Sequence, residues 1–300
     1  MRRWLGHAGA YAVVGLMWLL HWLPLALLAP LGRGLGRLLW WVGRSRRHVA
    51  LTNLRLCFPH KTEAERVALA RDHFGWLGRS LLERSLMWFA SPARLKRIIH
   101  VEGDVGWADR TGAPVMWLMP HFVGLEFCAP ALMLFQGRAA VDVYQRQSNP
   151  VFDAWLNRGR QRFDPARSIL IDRALGVRPV MRAIQNGAGF VNGADMDFGI
   201  KDSAFIPFFG VPACTLLAPG RMARTLGLQV QPVVVTLLPG GQGWRVRFMP
   251  APEGFPDADA QAGARALHRW LEALIEETPA QYFWVHRRFK TRPEGEPPVY

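Results

Sequence analysis

From about residue 113 onward, short apolar runs alternate with longer amphipathic ones. This alternation restricts the fold more than any other feature of the 300-residue chain. Residues 115–119, 140–144, 168–171 and 189–192 have the length and apolar content of buried strands, and 125–135, 150–163 and 173–185 carry helical patterns between them. That order predicts an α/β fold with a mostly parallel central sheet flanked by helices. A further helix is predicted over 216–228. Residues 230–238 and 244–249, joined by Pro239-Gly240-Gly241-Gln242-Gly243, read as a hairpin. Residues 259–278 read as a closing amphipathic helix. Upstream, Thr62-Glu63-Ala64-Glu65 has the form of a capping box, and Val67, Ala70, Phe74, Leu77 and Leu81 continue an apolar helical stripe behind it.

The first of these strands stops abruptly at Pro120-His121, and Glu126 heads the next apolar run. In open α/β sheets, functional groups gather at the carboxyl ends of strands. On one regular helix His121 and Glu126 would point about 140° apart. A working pair therefore needs His121 outside the helix, which the preceding proline favours. A neutral imidazole steered by a carboxylate is a general base. The chain has no G-x-S-x-G elbow, and none of Cys57, Cys128 and Cys214 sits in a nucleophile-like motif. The base is therefore expected to deprotonate a hydroxyl or amine of the substrate, which then attacks an activated acyl group directly. The competing reading is a structural histidine, because H-x4-E also arises by chance.

Other groups fall near the same sheet edge. Tyr144-Gln145-Arg146-Gln147-Ser148-Asn149-Pro150 leads into a helix carrying Arg158, Arg160 and Arg162. These arginines could hold phosphates or form a solvated face. Asp195 and Asp197 follow the strand at 189–192 and could bind a metal, orient an arginine or cap a loop. No third hard ligand stands near them in sequence, so no metal is expected. The apolar stretch 205–212 reads as a loop, with Phe205, Phe208 and Phe209 as candidates to line a slot for a hydrocarbon chain, or as ordinary core.

Charge and hydropathy narrow the partners. Thirty-seven Lys and Arg against 23 Asp and Glu leave a net charge of +14, which suits nucleic acid, an anionic membrane face or an acidic protein. Three scattered cysteines give neither a metal site nor a disulfide framework and fit a reducing compartment. Residues 11–31 hold no Asp, Glu, Lys or Arg over 21 positions, about the ~20 that a spanning helix needs. Trp18, Trp22, Trp40 and Trp41 look like interfacial anchors, with Arg33, Arg37, Arg44, Arg46 and Arg47 behind them. The expectation is a membrane-anchoring helix within residues 1–40 and a catalytic domain over 41–300 on the cytoplasmic side. A kinked helix lying in one leaflet and a buried soluble helix are the alternatives. With that apolar segment present, the aromatic and cationic tail at 281–293 points to a lipid surface rather than nucleic acid.

Together these features resemble the bacterial lipid A biosynthesis acyltransferases, which add secondary lauroyl or myristoyl chains, within the lysophospholipid acyltransferase-like superfamily. The resemblance spans nearly the whole chain. It rests on His121 and Glu126 as H-x4-E, Asn149-Pro150 ahead of Gly159-Arg160, Asp195 and Asp197 as D-x-D, the Phe-Ile-Pro-Phe-Phe-Gly block, and W-V-H-R-R-F-K-T-R-P at 284–293. Met196 stands where the family more usually has a polar residue. The resemblance implies a glycerolipid acyltransferase-like fold at the bacterial inner membrane. It implies acyl carrier protein as the donor of the fatty acyl chain, and a 3-hydroxyacyl chain on a Kdo-bearing lipid A precursor as the acceptor. It implies His121 and Glu126 as the catalytic pair, Arg146, Asn149, Arg160, Arg162, Asp195 and Asp197 near substrate, and no cofactor. An acyltransferase for another lysophospholipid or glycolipid, or a non-catalytic lipid-binding scaffold, are the alternatives.

Overall fold

The computed structural model describes residues 2–300, with side chains from His7 onward. The chain opens with helices α1 (Arg2–Leu20), α2 (Leu25–Val42), α3 (Arg44–Cys57), α4 (Glu63–Phe89) and α5 (Pro92–Ile98). Strand β1 (Ile99–Gly103), helix α6 (Trp107–Arg110) and strand β2 (Val115–Leu118) follow. The central units are α7 (Cys128–Phe135), β3 (Ala140–Tyr144), α8 (Pro150–Gln161), β4 (Ser168–Asp172), α9 (Arg178–Gln185) and β5 (Gly189–Asn192). The last part holds β6 (Ser203–Phe208), β7 (Val211–Leu216), α10 (Ala218–Thr225), β8 (Gln229–Leu237), β9 (Trp244–Phe248) and α11 (Ala260–Glu277).

Seven strands form the main sheet in the order β1-β9-β8-β2-β5-β3-β4. The five from β8 to β4 run parallel to one another. β9 runs antiparallel to β8, and β1 runs parallel to β9. The mostly parallel α/β sheet expected from the alternation is present, and so is the β8–β9 hairpin. Every residue of β2 is buried, as expected of a parallel strand covered on both faces.

Helix α4 ties the N-terminal helices to the sheet. Its capping box forms as expected: Glu65 N–H donates to Thr62 Oγ1 at 3.3 Å and Thr62 N–H to Glu65 Oε2 at 2.7 Å. Its Gly78 meets Gly32 and Gly36 of α2, where an added Cβ would overlap backbone atoms of the facing helix. Farther along, the buried Arg79–Glu83 pair is shared with the sheet: Trp244 Nε1–H donates to Glu83 at 2.7 Å and Arg79 to the Leu238 carbonyl at 2.8 Å.

Two expectations need correction. The uncharged stretch 11–31 is divided between α1 and α2, which are separated by a turn with Pro24 at the N-cap of α2. α2 also contains Pro30, Arg33 and Arg37. Among the described residues, no helix is long and apolar enough to cross a membrane. The apolar stretch 205–212 is not a loop. It forms the turn end of a second, two-stranded antiparallel sheet, β6–β7. Its two-residue turn has Phe209 at φ 49° and Gly210 at φ 77°. A two-residue hairpin turn with positive φ at both central positions is usually signalled by Asn-Gly. Here Phe209 takes the strained position, its N–H bonded to Glu272 Oε1 at 2.8 Å.

Candidate active site

Sheet register brings two distant segments together. β2 and β5 are neighbours, with Leu118 opposite Asn192. Three residues beyond each strand end stand His121 and Asp195. Met119 N–H bonds to the Asn192 carbonyl at 2.8 Å and extends the pairing past β2. Asp195 then clasps the histidine twice: Oδ2 accepts the His121 backbone N–H at 2.9 Å, and Oδ1 lies 2.6 Å from ring Nδ1. The backbone of His121 is also fixed from the C-terminal segment. Phe283 N–H donates to the His121 carbonyl at 2.9 Å, and Val123 N–H to that of Gln281 at 2.8 Å. With Nδ1–H committed to the carboxylate, Nε2 is the ring nitrogen left for a substrate.

Glu126 is not the partner of the ring, contrary to the sequence expectation. It sits on a 3-10 turn, Leu125–Phe127, and Arg160 of α8 takes both of its oxygens, Nε to Oε2 at 3.0 Å and Nη2 to Oε1 at 2.8 Å. The same guanidinium lies 3.8 Å from Asp142 on β3. Arg160 can reach this far in because Gly159 of α8 lies flat against the Trp88 ring of α4, where a Cβ would overlap the indole.

Electrostatics follow from these contacts. Burial pulls the His121 pKa down, but the charge and hydrogen bond of Asp195, with help from Asp142 and Glu126, outweigh it and leave the imidazole above its ordinary value. Burial pushes Asp195 up, yet His121 outweighs it and holds the carboxyl below the usual range. Burial also opposes ionisation of Glu126, and Arg160 and Arg84 overcome it. Asp142 goes the other way: burial raises its pKa despite Arg160.

Four of these groups border a cavity of about 970 Å³. His121, Glu126, Arg160 and Asp142 are at its wall. On one side the lining is apolar, with Ala129, Leu132 and Met133 of α7 and Leu156 of α8. Gln145, Arg173 and Lys201 give the other side a polar character. Among the described residues, no group of three or more His, Cys, Asp or Glu could hold a metal ion.

A model of the family described as bacterial lipid A biosynthesis acyltransferase matches residues 1–291. The chain belongs to this family. It is an acyltransferase. It is 32% identical to the lipid A biosynthesis lauroyltransferase of Escherichia coli (strain K12) over 306 aligned positions, covering 100% of this chain and 95% of that protein. It is 32% identical to the palmitoleoyltransferase of the same strain, with the same coverage. The strain's myristoyltransferase is 30% identical over 90% of this chain and 82% of the relative.

The cavity beside His121 gathers only some of the expected residues. Asp197 is turned toward the C-terminal segment, where it accepts Thr291 N–H at 2.7 Å and Thr291 Oγ1–H at 2.9 Å. Asn149 caps α8 by accepting Val151 N–H at 3.0 Å. Arg146 pairs with Asp172 at 3.2 Å, and Arg162 donates to the Ala90 carbonyl. Neither arginine lines the cavity. Phe205, Phe208 and Phe209 do not line it either. Phe208 is buried among Tyr282, Phe289 and His268, and Phe209 packs on Phe58. The apolar wall is made instead by α7 and α8. Asp142 and Phe283 also border the cavity and were missed. Asp142 interrupts an otherwise apolar strand, the one local signal that could have marked it.

Proposed function

We propose that the protein moves a fatty acyl chain from acyl carrier protein to the hydroxyl of a 3-hydroxyacyl chain on a Kdo-bearing lipid A precursor, at the cytoplasmic face of the bacterial inner membrane. The observation that carries this reading is His121, with Nδ1 occupied by Asp195, at the wall of a cavity apolar on one side and polar on the other. His121 Nε2 takes the proton of the acceptor hydroxyl while Asp195 stabilises the imidazolium that forms. The oxygen attacks the thioester carbonyl, giving a tetrahedral intermediate. When this collapses, the C–S bond breaks and the imidazolium returns its proton to the leaving thiolate. No cofactor enters the reaction.

Several features support the substrate assignment. A hydrocarbon chain fits the wall of α7 and α8, gaining about 0.8 kcal/mol per buried CH₂. Arg173 and Lys201 offer counter-charge to a phosphorylated lipid. The net charge of +14 complements an acidic carrier. Exposed Trp18, Trp22 and Trp41 on or beside α1 and α2 suit an interfacial position at the membrane.

The test is mass spectrometry of the lipid product after incubating the purified protein with acylated carrier protein and the Kdo-bearing lipid A precursor. One added acyl chain, absent with His121→Ala, is expected. Transfer to a lysophospholipid instead, with the lipid A precursor untouched, would overturn the acceptor. Undiminished transfer by His121→Ala would overturn the mechanism.

A further inference from the structure

Outside the N-terminal helices, exposed large apolar side chains cluster at two loops. Leu175 is 66% exposed and Val177 54%, on either side of Gly176. Phe198 is 46% exposed and Ile200 60%, on either side of Gly199. The two tips share one construction, a glycine at positive φ (70° and 91°) between two outward apolar residues. Such a glycine turns the chain sharply, and an added Cβ at either position would meet open space, so close packing is not the reason for it. The loops touch: the Arg173 guanidinium lies 5.0 Å from the centre of the Phe198 ring. Both residues also line the cavity that holds His121, so the two loops adjoin it. Arg173, Arg178 and Lys201 are exposed beside them, against the carboxylate of Asp202.

Four exposed apolar side chains cost free energy in water and are uncommon so close together. Apolar tips ringed by cations match the layering of an anionic leaflet, with headgroup charge outside and hydrocarbon beneath. We infer that Leu175, Val177, Phe198 and Ile200 form a two-pronged membrane-docking surface, which dips into an anionic lipid leaflet and holds the cavity mouth at the headgroup level. A lipid acceptor then passes from leaflet to cavity without crossing water as a monomer. This rests on the proposed lipid acceptor, and it assigns the docking to these loops rather than to α1 and α2 alone.

Cys57, Cys128 and Cys214 are buried, so Ile200→Cys can be labelled selectively in the full chain with an environment-sensitive nitrobenzoxadiazole dye. Vesicles of phosphatidylethanolamine and phosphatidylglycerol should brighten the dye and blue-shift its emission. Lipids spin-labelled on the acyl chain should quench it, and vesicles of phosphatidylcholine alone should do much less. A dye that stays in water while the protein sediments with the vesicles overturns the inference. So does a dye buried by acyl carrier protein and not by vesicles. The double variant Leu175→Ser, Ile200→Ser should raise KM for vesicle-embedded acceptor by about tenfold and leave turnover of detergent-dispersed acceptor unchanged. Equal loss on both forms also overturns it. If the label enters the leaflet but no acyl chain is transferred, the proposed reaction fails and the docking surface stands.

Discussion

The carboxylate of Asp195 holds His121 at two points, backbone N–H and ring Nδ1, so one side chain fixes both the turn and the orientation of the imidazole. The charge on Asp195 also keeps the imidazole pKa above its ordinary value against the pull of burial. A base must be neutral to accept a proton, so kcat/KM should rise with pH through a limb lying above about 6.5. Asp195→Asn removes the raising charge. The limb should move to lower pH, and kcat should fall by roughly 10²–10⁴-fold as the base loses its tautomer and orientation. A pH profile of both proteins measures this. A limb that does not move would show that it reports some other group.

Glu126 and Arg160 form a largely buried ion pair. Removing one partner leaves an uncompensated charge, which costs on the order of 3–5 kcal/mol. Glu126→Gln should therefore lower the thermal midpoint markedly, while Glu126→Gln with Arg160→Met should restore part of the loss. Losing the Glu126 charge should move the pH limb down only a little, since Asp195 is the larger cause of the raised His121 pKa. If Glu126 instead acted directly on the base, the single variant would shift the limb as far as Asp195→Asn does. Calorimetry and the pH profile separate the two outcomes.

The apolar wall of the cavity predicts chain-length selection. Ala129 of α7 borders the space that would receive the hydrocarbon. Ala129→Leu shortens that space, so competition between donors should swing toward the shorter chain. Each methylene that no longer fits is worth about 0.8 kcal/mol, roughly a fourfold change in kcat/KM. An unchanged preference would place the chain elsewhere.

Acid should weaken the fold through a buried histidine that takes no part in the proposed chemistry. Burial holds His73 down at about 4, despite the Ala280 carbonyl 3.0 Å from its Nδ1. A histidine that stays neutral in the fold but charges when unfolded costs stability as pH falls below about 6.5. The cost grows until its folded pKa is reached and amounts to on the order of 3 kcal/mol. His73→Gln should flatten part of the loss of thermal midpoint between pH 6.5 and 4. A slope equal to that of the parent would assign the acid sensitivity to other groups.

Local pattern was enough to locate His121, because an apolar run broken by Pro120 marks a strand end whatever surrounds it. It was not enough to choose the partner. Glu126 is near in sequence, whereas Asp195 becomes a neighbour only because β5 lies beside β2 while β3 and β4 lie beyond it. Strand order is a long-range outcome of packing and leaves no mark in a ten-residue window. Arg160 was visible as one of several arginines, but what it holds depends on how α8 lies across α4. The stretch 205–212 misled for a local reason: two prolines and the sequence Phe-Gly hid a hairpin whose turn usually carries a small polar residue. The break between α1 and α2, by contrast, was already written in Pro24.

Gly159 has a hydrogen where other residues have a methyl or more, and the Trp88 indole fills the space that this leaves. A larger residue there would act as a wedge. It would tilt α8 away from α4 and carry the neighbouring guanidinium off the carboxylates of Glu126 and Asp142. An alanine at 159, harmless on most helices, would thus disarrange charges that it never touches.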